Sequence, residues 1–221
     1  PAGILSSDLS VASRNAYHMA VFGVDKAHQL WVREWTQRNK SDWSDTVWRK
    51  LMEGAAIERP GVASRHSGHL GVAVRDLSGE PWLIEWTASS GWDAPASLAD
   101  GAKGTFSGHL TLATTAIDAQ ALYSVDESAL WHKEWSEDAG WTDWQAFTYQ
   151  PWSPDGQIVT AAVRQMDDVM VLGRNGSSGK YNTYTSLVSP GGLAGMPIPS
   201  GASAVGSFRS QALAWAGGKT L

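Results

Sequence analysis

Three segments set a glutamate between two tryptophans: Trp31-Val32-Arg33-Glu34-Trp35, Trp82-Leu83-Ile84-Glu85-Trp86 and Trp131-His132-Lys133-Glu134-Trp135. An indole offers a flat apolar face and one N–H donor, whereas a carboxylate offers only acceptors. Together they suit a ligand with an apolar face and several hydroxyls, such as a sugar ring, stacked on one side and hydrogen-bonded on the other. Another tryptophan follows each segment, at Trp43, Trp92 and Trp141, with Trp144 close behind the last. The candidate ligand-binding residues are Arg33, Trp35, Glu85, Trp86, His132, Glu134, Trp135, Trp141 and Trp144, with Glu34 and Lys133 as further polar neighbours. Two tryptophans four residues apart share one face of an extended strand. The first of each pair is expected to pack one unit on the next. The second sits nearer the following loop, where ligand can reach it. The third unit is expected to hold the best-formed cleft, with Trp135, Trp141, His132 and Glu134 together.

Other chemistries find less support. The six histidines lack metal-ligand spacing; His66 and His69 in Arg65-His66-Ser67-Gly68-His69 read as a hairpin turn, matched by Phe106-Ser107-Gly108-His109. A zinc site needs three or four ligands. The paired acids Asp167-Asp168 are not part of an oxygen-rich calcium loop. No Gly-x-Ser-x-Gly, P-loop or dinucleotide fingerprint occurs, and no cofactor or metal is expected. Glycosidases need a unique pair of carboxylates, yet Glu34, Glu85 and Glu134, like Asp25, Asp76 and Asp126, repeat. The unrepeated Glu53, Glu58, Asp118, Asp155 and Asp168 fall in loops without a visible partner. An enzyme acting on a glycan or small metabolite, and a protein-binding scaffold, are the alternative classes.

The elements that must carry these residues follow from internal repetition. Upstream of each tryptophan segment lies an apolar run closing on a turn residue: Val21 to Asp25, Val72 to Asp76, Leu122 to Asp126, and weaker copies ending at Asn175 and Gly217. The closing residues step by 51, 50, 49 and 42. A third repeated piece precedes each run, as Val11-Ala12-Ser13-Arg14, Val62-Ala63-Ser64-Arg65, Leu112 to Thr115, Thr160 to Val163 and Ser203 to Gly206. Runs of four to seven residues rich in Val, Trp and Thr, bounded by Gly, Asp, Ser and Asn, are strand-and-hairpin grammar. The stretch Trp48 to Gly54 aligns as the end of a fourth strand and not as a helix.

Four strands per repeat imply an all-β fold, a β-propeller of about five four-stranded blades in a single domain. The blades are expected at 8–54, 58–102, 105–152, 157–192, and 200–221 together with 1–7. The fifth unit stops short at Lys219-Thr220-Leu221 while Gly3-Ile4-Leu5 stands apart at the start, so residues 3–6 are expected to pair with 203–217 and close the last blade. The fourth unit is irregular, with Lys180 to Thr185 supplying Tyr181 and Tyr184 for tryptophan, and the loop from Ser189 to Pro199 replacing a clear fourth strand.

Composition bounds the partners. A chain of 221 residues buries an ample core without staples, and there is no cysteine. A net charge of −5 disfavours nucleic acid. No apolar run approaches a membrane span. No signal peptide is visible from Pro1 onward, which leaves secreted and cytoplasmic locations open. Thirteen Trp against four Phe and five Tyr demand a repeated role for the indole.

The run from Asp126 to Phe147, with Leu130-Trp131-His132-Lys133-Glu134-Trp135 and Gly140-Trp141-Thr142-Asp143-Trp144-Gln145-Ala146-Phe147, resembles a blade of the Photorhabdus-type β-propeller lectins. More loosely it is similar to tachylectin-type five-bladed propellers and fungal fucose-binding lectins. The resemblance is fullest in the third unit, extends to the first two and fades beyond about residue 155. It implies a lectin that takes fucose or related sugars, as glycans or glycoconjugates, in shallow multivalent sites between neighbouring blades. Homo-oligomer formation is compatible with it.

Overall fold

The computed structural model describes residues 5–37, 47–100, 105–116, 118–126 and 129–146, and the strands at 159–165, 168–174, 181–187 and 200–202. Four antiparallel sheets follow one another along the chain. The first holds β1 (Ser10–Ala12), β2 (His18–Val24), β3 (Gln29–Thr36) and β4 (Trp48–Glu53) in that order. The second holds β5 (Gly61–Ala63), β6 (His69–Arg75), β7 (Pro81–Thr87) and β8 (Gly91–Trp92), with β9 (Ala96–Ser97) also paired to β7. The third repeats this with β10 (Thr111–Ala116), β11 (Ala119–Val125), β12 (Leu130–Ser136), β13 (Gly140–Trp141) and β14 (Gln145–Ala146). The fourth holds β15 (Val159–Gln165), β16 (Asp168–Arg174), β17 (Tyr181–Leu187) and β18 (Ser200–Ala202). Among the described residues no segment is an α-helix, and no helix is long and apolar enough to cross a membrane.

The leading strands β1, β5, β10 and β15 lie side by side, as the inner strands of successive propeller blades do. Ser10 donates its hydroxyl hydrogen bond to the carbonyl of Pro60, and Thr114 donates to the carbonyl of Ser64. Alternation gives each strand two sides, and the second sheet packs with one side on the first sheet and the other on the third. Ala20, Phe22, Val24, Leu30 and Val32 of the first sheet meet Leu70, Val72, Val74 and Ile84 of the second. The opposite side of the second sheet, with Ala73 and Leu83, meets Leu110, Leu112 and Leu122 of the third.

The repeated aspartates lock the hairpin between the second and third strands. In the second sheet Asp76 Oδ1 accepts the amides of Ser78 and Glu80, at 2.8 and 3.0 Å, while Oδ2 accepts the Trp82 indole at 3.2 Å. In the first sheet Asp25 takes the amides of Ala27 and Gln29 and, at 2.8 Å, the Trp31 indole. The first tryptophan of those two pairs is thus committed to its own turn. Burial opposes ionisation of Asp25 and Asp76, and the donors outweigh it, so both carboxyls sit below the usual range.

Several expectations change in detail. Ser200–Ala202, expected to open a fifth unit, is hydrogen-bonded to β17 and supplies the fourth strand of the fourth sheet. It follows β17 only after twelve intervening residues, which hides it from the repeat spacing. The register of β16 with β17 sets Asn182 and Ser186 where the other sheets carry their tryptophan pair, so Tyr181 and Tyr184 do not take those positions. Leu5 bridges Asp25, and the amides of Ser6 and Ser7 donate to the Val24 carbonyl at 2.8 and 3.0 Å. Ser107 and Gly108 do the same to Val125 in the third sheet. Residues 5–7 are therefore the first sheet's own entry segment. The expected pairing of residues 3–6 with 203–217 rests on positions outside the described residues, as does Trp43.

Candidate functional site

Two gaps between sheets carry one constellation. In the first and second sheets the leading hairpin is tied by a serine: Ser13 Oγ donates to the carbonyls of Asn15 and His18, and Ser64 Oγ to those of His66 and His69. The next residue, Arg14 or Arg65, is thereby set at the hairpin tip. Four residues on, His18 or His69 begins the second strand on the same side as Glu34 or Glu85.

In the gap between the first and second sheets, His18 Nε2 lies 3.0 Å and Arg14 Nη1 3.5 Å from Glu34 Oε1. The Arg14 guanidinium lies over the Trp86 ring, 3.7 Å from its centre, and Trp92 donates its indole N–H to Glu34 Oε2 at 3.1 Å. In the gap between the second and third sheets, His69 Nε2 lies 2.8 Å and Arg65 Nη2 3.2 Å from Glu85 Oε1. Arg65 stacks on Trp135 at 3.5 Å, with Trp141 paired beside it. His69 Nδ1 accepts the Arg65 amide, so Nε2 carries the proton that it donates to Glu85.

Both glutamates are held as anions. Burial works against ionisation, but it is outweighed at Glu34 by hydrogen bonds from His18 and Trp92 and the charges of His18 and Arg14. At Glu85 the hydrogen bond from His69 and the charge of Arg65 do the same. Each carboxyl therefore titrates lower in the folded protein than in the unfolded chain. Its contribution to stability is fully present above the ordinary glutamate value of about 4.3 and is lost as pH falls through the lowered one. The melting temperature is expected to drop between about pH 5 and 3, and the Glu34→Gln, Glu85→Gln double variant to drop less over the same interval. Equal slopes would show that these carboxyls are not coupled to folding.

The alternation of β-strands divides the residues expected to act together. Glu85 and Trp86 are neighbours in sequence but enter different gaps, Glu85 that toward the third sheet and Trp86 that toward the first. Trp135 and Trp141 border the second gap, while His132 and Glu134 lie on the opposite side of the third sheet, opposite Tyr123 and Ala121. The expected grouping of these four in one cleft is corrected accordingly. His132 is buried against Tyr123, their ring centres 6.4 Å apart, and burial, then the Glu134 charge, pushes the Tyr123 phenol far up. Thr115 and Ala119 stand there in place of the arginine and histidine. Arg33 and Trp35 lie on the side of the first sheet away from the second, with the Arg33 guanidinium 5.9 Å from the Trp48 ring. Trp144, also expected to touch ligand, is interior: it is 4% exposed, its ring centre is 4.5 Å from that of Phe106, and its N–H donates to the Leu98 carbonyl. Trp92 is likewise an inter-sheet residue, set edge-on to Phe22.

Arg14, His18, Arg65 and His69 are absent from the sequence-based candidates. Their signal is the repeated Ser-Arg-x-x-x-His, Ser13 to His18 and Ser64 to His69, each with glutamate sixteen residues after the histidine. Among the described residues no cluster of three or more His, Asp or Glu could hold a metal.

No protein-family model matches the chain, and no curated protein does. Solved structures do. The BP39L lectin from Burkholderia pseudomallei superposes with a TM-score of 0.66 at 16% identity, over 87% of this chain and 55% of that one. An Aleuria aurantia lectin variant in complex with alpha-methyl-L-fucoside gives 0.58 at 13% identity, over 90% and 64%. The alpha-L-arabinofuranosidase PaAbf62A from Podospora anserina gives 0.54 at 14%, over 86% and 67%. The chain thus spans between 55% and 67% of the length of these proteins. At such identities the likeness is one of fold, an all-β propeller architecture shared with lectins and with a glycosidase.

Proposed function

We propose that this chain is a carbohydrate-binding protein that takes fucose or a related sugar in the gaps between successive blades. The sites are Arg14, His18, Glu34, Trp86 and Trp92 in one gap, and Arg65, His69, Glu85, Trp135 and Trp141 in the next. One observation carries this: the same charged triad from one sheet faces the same tryptophan pair from the next, twice, 51 residues apart in the triad. A sugar presents adjacent hydroxyls and an apolar C–H face. Arginine donates to a hydroxyl, the carboxylate accepts from its neighbour, and an indole stacks on the apolar face. Histidine sets the carboxylate's orientation. A 6-deoxy sugar adds a methyl group that an aromatic wall favours, and alpha-methyl-L-fucoside is the ligand of one protein of the same fold. Each glutamate is held as an anion by a cation and a histidine, which suits a hydrogen-bond acceptor better than a general acid.

Single sites are expected to be weak, about 0.1–1 mM, since a monosaccharide offers few atoms and gives up water. Repetition then raises avidity for clustered glycans. The test is a titration with methyl α-L-fucoside by calorimetry, together with a glycan array. Trp135→Ala and Trp141→Ala should each weaken binding at their site roughly 10–30-fold, the loss typical of an aromatic anchor, with the melting temperature largely kept. A collapse of melting in both variants would make these rings blade packing. Absence of glycan binding by the intact protein would end the proposal.

A further inference from the structure

We infer that the two matched gaps are unequal: the one between the second and third sheets is open for ligand, and the one between the first and second is obstructed by its own Trp92. This rests on the gaps being sugar sites. Glu34 has no oxygen to spare. Its Oε1 faces His18 and Arg14, and its Oε2 takes the Trp92 indole at 3.1 Å. Glu85 keeps one. His69 and Arg65 both converge on Oε1, and none of the described side chains donates to Oε2. The indole that matches Trp92 by register is Trp141, since Trp86 pairs with Trp92 and Trp135 with Trp141. Trp141 is half-buried and makes no hydrogen bond to Glu85.

The cause lies one residue deep in the supporting sheet. Phe22 presents its ring to Trp92 at 5.9 Å and 80°, an edge-to-face pairing that holds Trp92 at 9% exposure with its N–H on Glu34. The matching position in the second sheet is Ala73, as the pairings of Ser10 with Phe22 and Gly61 with Ala73 show. Alanine gives Trp141 no ring to lean on. The aromatic pair in that interface is Phe106 and Trp144, which pack on each other with ring centres 4.5 Å apart. A sugar hydroxyl entering the first gap must therefore displace an indole already bonded to the carboxylate. In the second gap it meets an accessible oxygen directly. Giving up one charge-assisted hydrogen bond lowers affinity about 10–100-fold.

The experiment follows the indole N–H resonances of the full chain by NMR during titration with methyl α-L-fucoside, with Trp92 and Trp141 assigned from their Phe variants. The Trp141 signal is expected to move at a midpoint 10–100-fold lower than the Trp92 signal. Trp92→Phe frees Glu34 Oε2 and should bring the weaker site, read on the Trp86 signal, to within a few-fold of the stronger. Adding Glu34→Gln should abolish that gain. Phe22→Leu, which keeps apolar volume and removes the ring edge, should act in the same direction if Trp92→Phe folds poorly. Equal midpoints for Trp92 and Trp141 in the parent would overturn the inference and leave sugar binding standing, as would an unchanged weaker midpoint in both variants. No movement of any indole signal, in parent or variant, would overturn sugar binding itself and the inference with it.

Discussion

Gly61→Ala is expected to destabilise the protein by at least about 3 kcal/mol, at the upper end for overpacking. Gly61 begins the inner strand of the second sheet, buried against the third. A methyl group built there would stand 2.6 Å from the Leu110 carbonyl oxygen and 2.9 Å from the Leu112 nitrogen. Both are backbone atoms of the neighbouring sheet, so no side-chain rotation relieves the clash. The sheets must part along a line that adjoins Ala73, Leu110 and Leu112, in the core shared by the second and third sheets. Interiors packed to crystal density do not absorb such a shift. The matching residue in the first sheet is Ser10, whose Cβ and hydroxyl do fit, the latter bonded to Pro60. Ser10→Ala should therefore cost only about 1 kcal/mol, the worth of one hydrogen bond. Thermal or urea unfolding of both variants decides the matter: comparable small losses would mean that the inner strands are less tightly apposed than described.

Arg65→Ala should remove binding at the second gap and also cost about 2–3 kcal/mol of stability. The guanidinium performs two tasks at once, pairing with Glu85 at 3.2 Å and lying flat on Trp135 at 3.5 Å. Its loss leaves a largely buried carboxylate with His69 alone and uncovers an indole face. Arg65→Lys keeps the charge but not the planar stack, so it should recover more stability than affinity. Calorimetric titration with a fucoside beside a melting curve separates the two. Affinity in Arg65→Ala equal to that of the parent would remove Arg65 from the site. An unchanged melting temperature would show that solvent already shields Glu85.

Much of the fold is legible in the sequence, because turn chemistry and alternation are local. Asp25, Asp76 and Asp126 close runs that are β2, β6 and β11, and the tryptophan segments are β3, β7 and β12. Trp48 to Glu53 is a strand, as the repeat alignment requires. The site is less legible, because it is assembled across sheets. Adjacent letters such as Glu85 and Trp86 suggest one cluster, but a strand sends them to opposite sides. Nothing local indicates that the tip bearing Arg65 reaches over to Trp135 in the following sheet. Trp141 and Trp144, three residues apart on a broken fourth strand, look alike in sequence; only tertiary packing makes Trp144 interior. The histidine pair shows the same limit, since His66 stays exposed at the turn while His69 is buried on Glu85.

The division of the second sheet into a charged side and an aromatic side gives the array a polarity, in the sense in which a polymer has a head and a tail. The second sheet offers Arg65, His69 and Glu85 forward to the third and Trp86 and Trp92 backward to the first. A recognition site consequently has no address inside any one repeat; it exists only at a border. Gene rearrangements that gain or lose whole repeats change how many borders there are and set the charged side of one repeat against the aromatic side of a new neighbour. A point change in one repeat, by contrast, is felt at one border if it falls on one side of the strand and at the other border if it falls one residue later. Specificity can thus drift border by border along a chain built from related repeats.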